Sequence, residues 1–329
     1  MKEKRDISEN RKNSKLPSFE WFYFDVHGTD GVDVVFSFHS LPFMSRFAVS
    51  ILDIFVYKEN RPYYHTFLIF PRKRLSIRRN GTEIQCADKS RFFLEFSNEK
   101  ARLWARDEKV EVDVRFTNGH PQKEPLEFSL GEQPFYWKLY MPRAQAQGVL
   151  HIREPKHIGD EEIPVNGRAY FDANNGNLNL KKTIRSWLWF KMYMNDELWI
   201  AGDVHPRQGA PHSVLVKVTP VTITHTTNVQ IRLNAQQLRI GSPLGALHLQ
   251  LVERNRLDEL YFLVPVWPDW LAFPEKIREI LAGLTLNRPA LKPVQKWLTN
   301  GVYYRHRWLA RTEDGRSVEI FGEEMILNA

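Results

Sequence analysis

A single cysteine, Cys86, stands in a chain of 329 residues, so no disulfide can form within it. That scarcity fits a reducing compartment and excludes a zinc site built from several thiolates. No G-x-x-x-x-G-K-[ST] or G-x-G-x-x-G segment occurs, which removes the common phosphate-cradling loops. G-x-S-x-G and H-E-x-x-H are missing too, so there is neither a nucleophile elbow nor a zincin-type metal helix. No apolar run reaches the roughly eighteen residues that a membrane-spanning helix needs. Helix-period patterning is absent over most of the chain.

Charge is plentiful but uneven. The net charge is +7. Lys2, Lys4, Arg5, Arg11, Lys12 and Lys15 outweigh Glu3, Asp6 and Glu9 in a polar first stretch. Residues 1–15 therefore read as a disordered basic tail, and without an apolar h-region they are not expected to be a signal peptide. The Arg72-Lys73-Arg74 and Arg78-Arg79 cluster could touch phosphates. It lacks an accompanying aromatic RNA-binding signature, so no nucleic-acid partner is expected. His205 and His212 flank a Pro/Gly loop and could ligate a metal, but a solvated loop is the preferred reading and no metal or other cofactor is expected. Asn80-Gly81-Thr82 reads as a hairpin turn rather than a glycan acceptor. The expected location is cytoplasmic, with a basic bias that favours anionic membrane surfaces.

What the chain has in excess is aromatic side chains: 13% of residues, with 10 Trp and 21 Phe. Such a supply serves either as filler between barrel strands or as the wall of an apolar binding site. The local pattern is short strands and turns. Val32, Val34, Phe36 and Phe38 alternate with other residues, and Val49, Ile51, Asp53, Phe55 and Tyr57 repeat the period. The stretches 64–70, 84–87, 92–96, 101–105 and 110–116 continue the series, with turn signals at Gly28 to Gly31, Asn80-Gly81 and Asn118-Gly119. Further strands are expected over 186–194, 197–204, 212–219, 221–233, 247–253 and 257–264. A last pair, 302–310 and 317–326, is expected around Glu313-Asp314-Gly315. Between them, Trp270, Leu271, Phe273, Ile277, Ile280, Leu281 and Leu284 recur at helical spacing, giving a helical segment over about 268–298. That segment either covers a barrel mouth, the preferred reading, or rests on a membrane surface. The expected class is all-β, with one antiparallel domain over 16–180 and a second over 181–329.

Two aromatic segments hold the candidate site. In Glu20-Trp21-Phe22-Tyr23, period two puts Phe19, Trp21 and Tyr23 on one face and Glu20, Phe22 and Phe24 on the other. Glu20 on an otherwise apolar face implies an ion pair or a pocket polar group. Near the midpoint, Gly167 to Gly176 carries Tyr170, Asp172 and Asn174, and Trp187 and Trp189 follow shortly. One reading of Asp172 to Gly176 is an Asx turn with Gly176 at positive φ. The other is a carboxyl desolvated among aromatics, its pKa raised until it can donate a proton, with Asn174 orienting it and the rings stabilising a nearby cation.

Four segments in order carry a resemblance. E-W-x-Y-F-D at Glu20 to Asp25, W-x-x-x-M-P-R-A-x-x-x-G at Trp137 to Gly148, G-x-x-Y-x-D-x-N-x-G at Gly167 to Gly176, and W-x-W at Trp187 and Trp189 resemble the hydroxyneurosporene synthase (carotenoid hydratase) and AttH-like family, related to lipocalin-like Diels–Alderases. Tyr303-Tyr304 and the Gly315 to Ile326 hairpin look like that family's C-terminal end. The resemblance implies two tandem lipocalin-like antiparallel β-barrel domains with a ligand cavity near their junction. It implies Asp172, Asn174 and Tyr170 as catalytic residues, and Glu20, Trp21, Tyr23, Trp137, Trp187 and Trp189 as substrate-binding residues. The family's D-H-N reads Asp172-Ala173-Asn174 here, and the lost histidine tilts the expectation from hydration toward cyclisation. The expected partner is thus a large apolar polyene or isoprenoid-type molecule. It would be cyclised by an acid-initiated or pericyclic route, hydrated, or carried unchanged.

Overall fold

A computed structural model describes residues 19–41, 49–71, 74–80, 83–88, 90–97, 99–117, 126–130, 133–154, 159–177, 180–261 and 301–327. Strands fill nearly all of them. The first set runs β1 (Phe19–Gly28), β2 (Val32–Leu41), β3 (Val49–Lys58), β4 (Arg61–Pro71), β5 (Ser76–Asn80), β6 (Glu83–Asp88) and β7 (Phe92–Ser97). It continues with β8 (Lys100–Arg106), β9 (Val110–Thr117), β10 (Leu126–Leu130), β11 (Gln133–Glu154), β12 (Gly159–Pro164) and β13 (Gly167–Gly176). One helical turn, α1 (Leu180–Thr183), precedes the second set: β14 (Ile184–Met194), β15 (Glu197–Pro206), β16 (His212–Val218), β17 (Ile223–Thr226) and β18 (Gln230–Leu233). That set ends with β19 (Gln237–Ser242), β20 (Gly245–Tyr261), β21 (Gly301–Thr312) and β22 (Ser317–Leu327).

Both sets form wholly antiparallel sheets built by the same device. In the first, the order is β4-β3-β2-β1-β13-β11-β9-β8-β7-β6-β5, with β10 and β12 also on β11. In the second it is β17-β16-β15-β14-β22-β21-β20-β19-β18. The first strand of each set therefore pairs with the last, and the sheet curls around its own apolar core. Phe22, Phe24, Phe36, Phe38, Leu103 and Val112 belong to the first core, and Phe190, Trp199, Leu249 and Trp308 to the second.

Burial along the strands shows where the sheets meet. β6 to β9 alternate between buried and more exposed residues, as expected when one face covers a core. β1 is instead buried at nearly every position. Its even residues Phe22 and Phe24 enter the first core, while Phe19 and Tyr23 enter a third cluster shared with Ile200, Phe321 and Met325 of the second sheet. Two glycines allow backbones to approach closely. A Cβ on Gly148 would lie 2.1 Å from the Asp113 carbonyl oxygen, and one on Gly167 would lie 2.0 Å from that of His27.

Three local expectations are corrected. The Asx turn at Asp172 to Gly176 does not form, because β13 stays extended through Gly176, with β1 on one side and β11 on the other taking its ladder bonds. The span 221–233 divides into β17 and β18, broken where the Thr226 hydroxyl accepts the Asn228 N–H at 3.1 Å. The two strands expected over 247–264 are instead the single β20, whose polar middle stays paired to β21 through bulges at Leu251/Glu253 and Arg256/Asp258. The helical segment over 268–298 lies outside the described residues. Among those that are described, no helix is long and apolar enough to cross a membrane.

Candidate active site at the junction of the two sheets

Period-two alternation sends Phe19, Trp21, Tyr23, Asp25 and His27 of β1 toward the second sheet. Pairing then fixes their neighbours on that face: Trp21 lies opposite Asn174, Tyr23 opposite Asp172, and Asp25 opposite Tyr170. β11 adds Trp137 beside Asn174 and Leu139 beside Asp172. From the facing sheet, β14 presents Trp187, Trp189 and Lys191. Trp187 stacks on Trp21 with centroids 6.3 Å apart and planes 12° apart. Trp189 meets Tyr23 at 5.6 Å and Tyr170 at 5.5 Å.

Asp172 lies within this aromatic set at 3% exposure. Its Oδ2 accepts from Trp137 Nε1 at 2.8 Å and from the Tyr170 hydroxyl at 2.6 Å. Its Oδ1 takes a longer bond from Asn174 Nδ2 at 3.4 Å. Desolvation is the largest influence on its proton affinity and opposes the charged form. The Tyr170 and Trp137 bonds favour the carboxylate, while the negative charges of Glu323 and Asp25 disfavour it. The balance raises the pKa to about 7. Tyr170 is itself held neutral by burial and by Asp172, its pKa well above the ordinary phenol value.

Two further donors face this junction. Burial, reinforced by Glu323 and Asp25, raises the Tyr23 phenol well above its usual pKa, so it stays an O–H donor. Neither the Tyr23 hydroxyl nor Trp189 Nε1 has an acceptor among the described residues, although both atoms are buried. A donor held out of water without a partner costs about 1–3 kcal/mol. Such a cost is recovered when a bound molecule supplies the missing acceptor.

The structure thus gathers Asp172, Tyr170, Asn174, Trp21, Tyr23, Trp137, Trp187 and Trp189 on one junction. Glu20 is not among them. It sits on the opposite face of β1, buried on the side of the first core, where the Ser40 hydroxyl donates to Oε2. His205 bonds Asp203 at 2.9 Å, and no group of three or more metal-ligating side chains occurs among the described residues.

Sequence reasoning missed the polar groups surrounding the aromatics. Lys191 of β14 pairs with Asp25 of β1, each side chain 1% exposed. Arg305 of β21 donates to the Tyr57 hydroxyl of β3, to Glu323 at 3.0 Å and to the Tyr303 hydroxyl at 3.0 Å. Arg307 reaches Asp33 and Asn60, both at 2.6 Å. All three cations cross from the second sheet to the first. The one available signal was Lys191 itself, a lysine continuing the Trp187, Trp189 face of an apolar strand.

No family model matches the sequence, and no curated protein matches it. Solved structures do match. The structure of CghA with Sch210972 superposes with a TM-score of 0.65 at 9% identity, covering 95% of this chain and 89% of that one. An AttH candidate from Nitrosomonas europaea gives 0.56 at 13% identity, covering 94% and 92%. Kievitone hydratase from Nectria haematococca gives 0.51 at 12%, covering 98% and 92%. At these identities the likeness establishes the fold: two lipocalin-like β-barrel units in one chain.

Proposed function

We propose that the chain is an enzyme acting on a large apolar polyene or isoprenoid-type molecule at the sheet junction, with Asp172 protonating a carbon–carbon double bond to start a cyclisation. The observation that carries this reading is a carboxyl buried among aromatics with a pKa of about 7. Such an acid holds a proton near neutrality and can release it to a weak base. Transfer of the Asp172 proton to an alkene leaves a carbocation, which an internal double bond captures by forming a carbon–carbon bond. Loss of a proton to the Asp172 carboxylate then restores the acid, so the reaction is an isomerisation. The rings of Trp21, Trp187, Trp189 and Tyr23 supply the faces that stabilise a passing cation.

The structural neighbours include kievitone hydratase, so hydration occurs on this fold. Two observations favour specific variants. The Tyr23 hydroxyl and Trp189 Nε1, without acceptors among the described residues, suit a pericyclic route in which they polarise a substrate carbonyl. Half-buried Asn174, bonded to the acid, suits a hydratase in which it holds the attacking water.

Incubation of the purified protein with a panel of polyenes in D2O, followed by mass spectrometry, separates these outcomes. Proton-initiated cyclisation gives a cyclic isomer carrying solvent deuterium. A cyclic product free of deuterium favours the pericyclic route. An added water molecule favours hydration, and unchanged bound lipid favours carriage. Trp137→Phe provides a second check. It removes a bond that favours the carboxylate, so the Asp172 pKa rises by roughly one unit. The alkaline limb of the activity profile is expected to move to higher pH by that amount.

A further inference from the structure

The face of the first sheet that carries Asp172 continues past Tyr23 to a second polar group. Across the strands, Asp172 lies opposite Tyr23, Tyr23 opposite Ser37, and Ser37 opposite Asp53. In the adjoining row Trp21 lies opposite His39, their rings 6.3 Å apart. His65 of β4 comes from the far side and stacks on Phe55 at 4.1 Å. Ser37 Oγ is 3.1 Å from His39 Nε2, which is 3.7 Å from Asp53 Oδ2, and His65 Nε2 is 3.5 Å from Asp53 Oδ1.

This group is incompletely satisfied. The imidazoles approach Asp53 at 3.5 and 3.7 Å, beyond the usual range of a good hydrogen bond. No Lys or Arg pairs with Asp53 among the described residues, although its side chain is only 20% exposed. His39 Nδ1 is buried with no partner among the described residues. Desolvation, which outweighs the attraction of Asp53, favours the neutral imidazole. When the Ser37 hydroxyl donates to Nε2, the ring proton sits on Nδ1, where it meets no acceptor among the described residues.

We propose that Asp53 and His39 form a subsite for the hydroxyl or phenol at one end of an otherwise apolar substrate. The substrate O–H donates to the Asp53 carboxylate, and its oxygen accepts from His39 Nδ1–H. The strand spacing sets a length. Three steps of about 4.8 Å place the subsite roughly 14 Å along the sheet from Asp172. The preferred substrate therefore carries its hydroxyl about that far from the double bond that is protonated. This inference rests on the reading of the junction as an apolar binding site.

The test is a tryptophan-fluorescence titration of the intact chain with two probes, geranylgeraniol and geranylgeranyl methyl ether. The ether keeps the chain and the oxygen but lacks the donor. A hydrogen bond to a charged group predicts that the alcohol binds about tenfold more tightly. Asp53→Leu is expected to reduce that preference severalfold while leaving the affinity for the ether unchanged, whereas His39→Phe, which keeps a ring beside Trp21, is expected to weaken both probes severalfold because both oxygens lose the same donor. Equal affinities for the two probes in the native chain would overturn the subsite and leave the apolar site standing. A preference that survives in Asp53→Leu, or an unchanged affinity for both probes in His39→Phe, would also overturn it. Failure of both probes to bind would overturn the subsite together with the apolar-site reading.

Discussion

Asp172→Asn is expected to lower turnover by roughly 10²–10⁴-fold, the range for loss of a general acid. The substitution is nearly isosteric. The amide oxygen can still accept from Trp137 Nε1 and the Tyr170 hydroxyl, as Oδ2 of the native carboxyl does. What disappears is the transferable proton. Native activity should likewise fall as pH rises through about 7, the pKa of the buried acid. The same shift affects stability with a definite sign. Between the ordinary value of 3.8 and the folded value of about 7, the native state holds a proton that the unfolded chain has released. Unfolding stability therefore declines as pH rises across that window, by roughly 4 kcal/mol in total, and is level above it. Urea titrations across the window should show this slope in the native chain and a flatter dependence in the variant. A variant that retains native turnover would remove the acid from the mechanism.

Lys191→Met is expected to cost roughly 3–5 kcal/mol, the penalty for stranding one member of a buried ion pair. Lys191 and Asp25 are each 1% exposed, and Asp25 Oδ2 has no partner among the described residues. Without the ammonium, the nearest remaining cation source for Asp25 is His27 Nε2 at 3.6 Å, which is charged only when protonated. The loss also reaches the site, because Lys191 Nζ lies 4.8 Å over the Tyr170 ring whose hydroxyl holds Asp172. Adding Asp25→Asn to Lys191→Met should recover most of the stability, since the uncompensated charge is then gone. Chemical denaturation of the two single variants and the double variant completes the cycle. Purely additive losses would mean that the pair does not act as a unit.

Much of the junction was legible because strand alternation is strict. Writing Phe19, Trp21 and Tyr23 on one face and Glu20, Phe22 and Phe24 on the other separates the shared cluster from the first core as the structure does. The strand boundaries were less secure wherever polar residues continued a strand. Asn174 and Asn175 look like turn formers, yet neighbours on both sides of β13 keep them extended. Arg254 to Arg256 look like a loop, yet β21 keeps them in β20. The buried cations were beyond reach for another reason. Arg305 and Tyr57 are 248 positions apart, and only the packing of one sheet on the other brings them together. The aromatics that line the site are local and periodic, whereas the charges around it are paired across the whole chain.

Asp172 carries a proton near neutral pH, and infrared difference spectroscopy reads that proton directly, without a substrate. The spectrum of the native chain minus that of Asp172→Asn should contain a protonated carboxyl stretch at mildly acidic pH. That band should lose half its intensity near pH 7, as the pKa of about 7 requires. A difference spectrum showing only carboxylate down to the ordinary aspartate range would contradict the account.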